Sequence, residues 1–185
     1  MATRPRLRKL VLTAHIVSSV GWLGAVAVTL ALSVVGLTSH DGQVVRGVYL
    51  TLEQTSWTVL IPLALSSLLT GLIQSLGTKW GLFRHYWIIV KLSINIFALI
   101  ILLLYTQTLS ALADLAAHTP SSDLGALRSP SPVLHAGLGM LLLLVAAALS
   151  VYKPRGMTAY GWRKQHQQRT ASAGADAAAP PPRLT

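Results

Sequence analysis

Residues 86–109 read YWIIVKLSINIFALIILLLYTQTL, and Lys91 is their single charge. As a helix rising ~1.5 Å per residue this stretch is about 36 Å long, enough to cross a hydrocarbon core about 30 Å thick. Within that core every backbone N–H and C=O must be satisfied inside the segment, which a helix achieves and an open strand does not. A transmembrane helix is therefore expected from Tyr86 to Leu109, with Leu112 as its outer limit.

Three further runs meet the same criterion: Leu10 to Leu37, Ser56 to Leu76, and Pro132 to Tyr152. Pro132 suits a first helical turn, where its missing N–H costs nothing. The expected architecture is all-α, a polytopic membrane protein built as a four-transmembrane-helix bundle. Residues 1–9 form a basic N-terminus, 10–152 the membrane domain and 153–185 a basic, Ala/Pro-rich tail expected to be disordered, both ends on the cytoplasmic side. Composition agrees: 52% of the 185 residues are hydrophobic and only 11% charged, where a soluble domain carries about a quarter. Mean hydropathy is +0.57.

The net charge of +10 is unevenly placed. Arg4, Arg6, Arg8 and Lys9 precede the first run, Lys79 and Arg84 separate the second from the third, and six cations follow the fourth. The other connections hold only Arg46 and Arg128, together with Asp41, Glu53, Asp114 and Asp123. The positive-inside rule then places both termini in the cytoplasm of a bacterial cell. Cations that flank apolar runs match membrane phosphates rather than nucleic acid, so the bilayer is the expected partner. A membrane protein partner or a second copy of the chain is compatible with that surface.

Arg4 to Lys9 ahead of Ala25-Val26-Ala27 has the outline of a secretory signal. Apolar residues continue to Leu37, beyond that cleavage point, so an uncleaved helix is expected. The Ala/Pro-rich stretch from Ala171 to Pro182 lacks apolar periodicity and reads as unstructured.

Helices in lipid associate through small residues and polar contacts. Ala64, Ser67, Gly71 and Gln74 recur at helical spacing in the second run. His15, Ser18, Trp22, Ala25 and Thr29 share a face of the first, Lys91, Asn95 and Ala98 of the third, and His135, Gly139, Leu142 and Ala146 of the fourth. These stripes are expected to be the bundle interior. Pro62 is expected to kink the second helix near its external end.

Ionisable groups inside a bilayer are costly and usually face the protein interior or a wet cavity. His15 and Lys91 each lie about five residues in from the cytoplasmic edge, ~8 Å deep, and Asn95 is one turn beyond Lys91. His135 and Glu53 belong to the external side, roughly 15–20 Å away along the membrane normal. His15 and His135 are thus too far apart to be the two axial ligands of one haem. Each residue also has a plain structural role open to it. Lys91 can extend its ammonium to the headgroups, His15 can hydrogen-bond a neighbouring helix, and Arg84-His85-Tyr86-Trp87 has the make-up of an interfacial anchor. Glu53 and His135 can pair as an ion pair or proton site.

The chain contains no cysteine, which removes disulfides, iron–sulfur clusters and thiolate ligands. It has no Gly-rich phosphate loop, no His-Glu-x-x-His and no Gly-x-Ser-x-Gly. Met140 is the single methionine inside a helical run, so a copper(I) path would lack its soft ligands.

Ala14-His15 followed by Gly21-Trp22-Leu23-Gly24 resembles the first helix of CopD-like membrane proteins, which include HemJ-type protoporphyrinogen oxidases. The stretch from Lys79 to Lys91, KWGLFRHYWIIVK, is similar to one in uncharacterised four-helix membrane proteins of actinobacterial type. Together the likeness spans residues 8 to 152. The first resemblance implies haem or porphyrin handling, with His15 as a haem b axial ligand and Lys91 as a carboxylate partner. Asn95, one turn beyond Lys91, and Trp22, on the His15 face, stand beside them as candidate cofactor-binding residues. An enzyme of that kind would be a membrane oxidoreductase acting on porphyrin. Three readings follow: a non-catalytic membrane subunit or small-ligand binder centred on His15, Lys91 and Asn95; a haem- or porphyrin-binding redox protein; and a proton-coupled transporter using Glu53, His135 and Lys91.

Overall fold

The computed structural model describes residues 5–77, 82–120, 128–154 and 156–177. Six α-helices follow in order: α1 (Pro5–Thr38), α2 (Gly42–Thr55), α3 (Ile61–Gly77), α4 (Tyr86–His118), α5 (Ser131–Tyr152) and α6 (Ala159–Ala177). A π-helical turn, Ser56–Leu60, joins α2 to α3 without a break. Four stretches are long and apolar enough to cross a membrane: α1, the continuous Gly42–Leu76 helix, α4 and α5. The fold is an all-α four-helix bundle, and the chain is a multi-pass membrane protein by the length and composition of these spans.

Spans adjacent in sequence are neighbours in space. α1 packs on α2, α3 and α5, while α4 packs on the same three, so α1 and α4 lie diagonally across the bundle. Small and polar side chains are part of the interior: Ala64 and Ala116 are fully buried, and Ser18, Ser67 and Thr106 nearly so. Large apolar residues such as Leu69, Leu104, Leu134 and Leu141 point outward, each at least 60% exposed. A soluble monomer does not expose so much apolar surface, whereas in lipid this is the expected inversion. One apolar cluster joins Trp22 and Val26 to Leu60, Ala64, Ala98 and Leu143; a second joins Val45, Tyr49 and Leu52 to Leu109 and Ala116.

The expected external connection between the first two spans shrinks to Ser39, His40 and Asp41. Asp41 starts α2 as its N-cap, its carboxylate accepting from the Gln43 backbone N–H at 2.8 Å, which satisfies one of the helix's orphan donors. Arg46 and Glu53, expected in a loop, are therefore helical. Arg46 donates to the Ala116 and Thr119 carbonyls at 2.7 and 2.6 Å, placing a cation on the negative C-terminal end of α4. At Pro62 the disruption takes the form of a π turn. Proline has no N–H and its ring crowds the carbonyl four residues back, and just ahead of it the Ile61 N–H bonds to Ser56 O, five residues back.

The tail also departs from expectation, since Ala159–Ala177 is helical rather than unstructured. Thr158 fastens the start of α6 to the α3–α4 connection. Its N–H donates to Arg84 O, its hydroxyl donates to Phe83 O, and the same hydroxyl oxygen accepts from the Gly161 N–H. Arg4, Lys79 to Gly81, Asp123, Arg155 and residues 178–185 lie outside the described residues.

Candidate functional site

His15 projects from α1 onto α3, where Gly71 makes room for its ring: a Cβ at position 71 would sit 3.1 Å from His15 Cε1. His15 Nδ1 lies 3.1 Å from the Ser67 carbonyl oxygen and 3.2 Å from Thr70 Oγ1. A carbonyl can only accept, so Nδ1 carries the proton and donates. The Thr70 hydroxyl gives its own hydrogen to the Ser66 carbonyl at 2.6 Å, leaving its oxygen free to accept as well. The neutral ring thus has a fixed tautomer with a bare Nε2. Nε2 has no hydrogen-bond partner among the described residues, in which no buried side-chain nitrogen or oxygen is left unpaired, so it is accessible; His15 lines a cavity. A backbone carbonyl holding one imidazole nitrogen while the other faces open space is the arrangement that orients metal-ligating histidines.

The cavity has a volume of about 420 Å³ and lies at the end of the bundle where the cations collect. α4 brings Lys91 and Asn95 to its wall, so three residues singled out from the sequence meet here. Lys91 Nζ donates to Ser150 Oγ on α5 at 3.2 Å, and Ser150 passes its hydrogen to the Ala146 carbonyl. Its other two ammonium donors have no partner among the described residues. Asn95 Nδ2 donates to the Lys91 carbonyl at 2.8 Å, which leaves its side-chain oxygen as the free end. The cavity's remaining charged lining residues are Arg8 and Lys153. Lys153 ends α5 in the left-handed region, at φ 42°, where a non-glycine residue costs about 1–2 kcal/mol.

Trp22 is not part of this cavity. Two helical turns, ~10 Å, separate it from His15, and it is only 3% exposed in the apolar core. It lines a smaller cavity of about 90 Å³ that His135 also borders. His135 is exposed at the edge of its helix, because the buried face of α5 runs through Ala136, Leu143 and Ala146 instead. Its Nδ1 donates to the Ser131 carbonyl at 2.9 Å and its ring stacks on Tyr105, with centroids 3.8 Å apart. Glu53 lines neither cavity. It forms no ion pair with His135, so the proposed external-side pair is not assembled. Lys91 in turn is on a different cavity from His135, and the three transporter residues do not converge.

Comparison with family models, curated proteins and solved structures returns no match.

Function must then be argued from the chemistry of the cavity itself. Sequence reading treated Arg8 and Lys153 only as topological charges. Arg8 could have been found, since Arg8, Leu12 and His15 follow the i, i+4, i+7 spacing of one helix face. Ser150 gave no such signal. Among the described residues no group of three His, Asp or Glu side chains is placed to hold a metal ion.

Proposed function

We propose that this chain is a small-ligand-binding protein of the bacterial cell membrane, without catalysis of its own, whose site is the cavity around His15, Lys91 and Asn95. Both termini face the cytoplasm in this reading, because twelve of the fifteen Lys and Arg residues flank the spans on that side. One observation carries the ligand reading. His15 is anchored through Nδ1, which leaves Nε2 unpaired among the described residues, and it lines a cavity of about 420 Å³ together with Lys91 and Asn95, a volume within the range of small-molecule sites. Residues needed only for helix packing would have closed upon one another.

The test is to purify the protein in a mild detergent and identify co-purifying small molecules by mass spectrometry. A species present near one per chain, and lost in His15→Leu, supports the reading. An identical set of molecules in the wild type and in a His15→Leu, Asn95→Leu double variant overturns it.

The open Nε2 also favours a second reading, that the ligand is haem b, as the CopD-like resemblance implies. The residues fit such a group in part: His15 supplies one neutral imidazole, and Arg8, Lys91 and Lys153 supply partners for carboxylates. Among the described lining residues there is no second histidine and no methionine, so His15 would be the side chain that holds the haem iron. Haem would bring electron-transfer chemistry; the chain's own residues would bind and orient it. A Soret band in protein expressed with ample haem, abolished by His15→Ala, is the expected result. Colourless protein rejects this second reading.

A further inference from the structure

The charge balance of the cavity identifies the kind of molecule it suits. Arg8 comes from α1, Lys91 from α4 and Lys153 from the end of α5, and the lining contains no aspartate or glutamate. Three cations therefore line it from three helices, with no carboxylate among the described lining residues. Lys91 is the most telling, since a lysine within a span usually pairs with an acid or extends to the surface. Here its hydrogen bond among the described residues is to a neutral hydroxyl, and none of them takes its other two donors.

Part of the lining is apolar. Leu12 and Ile16 line the cavity and are also 48% and 52% exposed on the outer surface of α1. The apolar side of the cavity is thus continuous with the surface that faces lipid. A free inorganic anion would have no use for such a wall, and a neutral lipid no use for three cations.

We infer that the cavity takes an amphiphile with an acidic headgroup, a phosphate or carboxylate on a hydrocarbon chain, entering sideways from the bilayer. The headgroup rests on Arg8, Lys91 and Lys153, and Asn95 and the His15 Nε2 face its polar atoms. The chain lies along Leu12 and Ile16. An arginine can hold such a headgroup through two parallel hydrogen bonds while the lysines act as point charges. This inference rests on the ligand-binding reading and narrows it to one class of ligand.

The test uses the full-length protein in a maltoside detergent, with native mass spectrometry and thermal unfolding as readouts. The probes are dodecyl phosphate below its micellar concentration, inorganic phosphate, and dodecyltrimethylammonium. Dodecyl phosphate is expected to bind at one per chain and raise the unfolding midpoint. Its affinity should fall tenfold or more in Lys91→Met, and in an Arg8→Gln, Lys153→Gln double variant. The double variant alters only exposed positions, so it retains the test should Lys91→Met fail to fold. Inorganic phosphate binding as tightly as the dodecyl ester would overturn the amphiphile and leave a free-anion site. Equal binding of the cationic amphiphile, or no loss in the charge variants, would overturn the acidic headgroup. A neutral molecule that co-purifies with wild type and is lost in His15→Leu would likewise remove this inference while leaving the cavity a ligand site.

Discussion

Gly71 on α3 leaves the room that the His15 ring of α1 occupies. A methyl group at position 71 would lie 3.1 Å from His15 Cε1, so the ring must give by a few tenths of an ångström. Gly71→Ala gains up to ~1 kcal/mol of helix propensity, which offsets that contact, and a near-unchanged unfolding midpoint is expected. Gly71→Leu has no such outlet and should destabilise by about 1–3 kcal/mol. Adding His15→Ala to Gly71→Leu vacates the space and should recover much of that loss, a coupling that thermal unfolding in detergent can read. If the two effects simply add, the ring is not what the larger side chain meets. His15, Lys91 and Asn95 were legible in the sequence because polar residues inside a span have few places to go. Trp22 was misplaced for a different reason. Sharing a helix face with His15 says nothing about depth, and two turns carry it from the wet end into the apolar core.

Among the elements, the four spans were legible because lipid demands a length and an apolarity that nothing else in the chain imitates. α2 and α6 were not read, each for its own reason. α2 falls below the hydropathy of a span, yet its buried residues Val45, Val48, Tyr49 and Leu52 follow the i, i+3, i+4, i+7 spacing of an amphipathic helix. Arg46 and Glu53 masked it by looking like loop charges. α6 has no apolar stripe at all, and its attachment depends on tertiary contacts at Thr158 and Gly161 that leave no pattern in sequence. Gly161 is the sharpest of these, since a Cβ there would lie 2.5 Å from the Arg84 backbone oxygen. That atom belongs to the connection between spans and cannot swing aside as a side chain would. Gly161→Ala should therefore free the start of α6 from the bundle, and Thr158→Val should do the same by removing two hydrogen bonds. Both variants are expected to be cut by trypsin several-fold faster at Arg163 and Lys164, with the unfolding midpoint of the spans unchanged. Wild-type cleavage rates in both would show that α6 is held by something other than this clasp.

At the scale of the whole molecule the two ends of the bundle handle charge differently. At one end Arg46 and Arg128 are tied to backbone carbonyls, Arg46 on Ala116 and Thr119 and Arg128 on Ser39 at 3.3 Å. Asp41, Glu53 and Asp114 share that end, so it carries little excess charge. The other end has Arg6, Arg8, Lys9, Arg84, Lys153, Arg163 and Lys164 with no acid among its cavity-lining residues. The proposed orientation and the proposed ligand thus rest on the same asymmetry. In the proposed orientation the same cations draw acidic headgroups towards this end, by about 1 kcal/mol per residue near an anionic surface. The absence of cysteine makes the orientation directly measurable, because any introduced thiol is the sole target for labelling. His40→Cys, exposed between α1 and α2, should react with a membrane-impermeant maleimide in intact cells. Phe83→Cys, 59% exposed on the α3–α4 connection, should react only after the membrane is opened. The reverse pattern would turn the protein over, leaving the cavity's chemistry intact but opening it to the outer leaflet and its lipids.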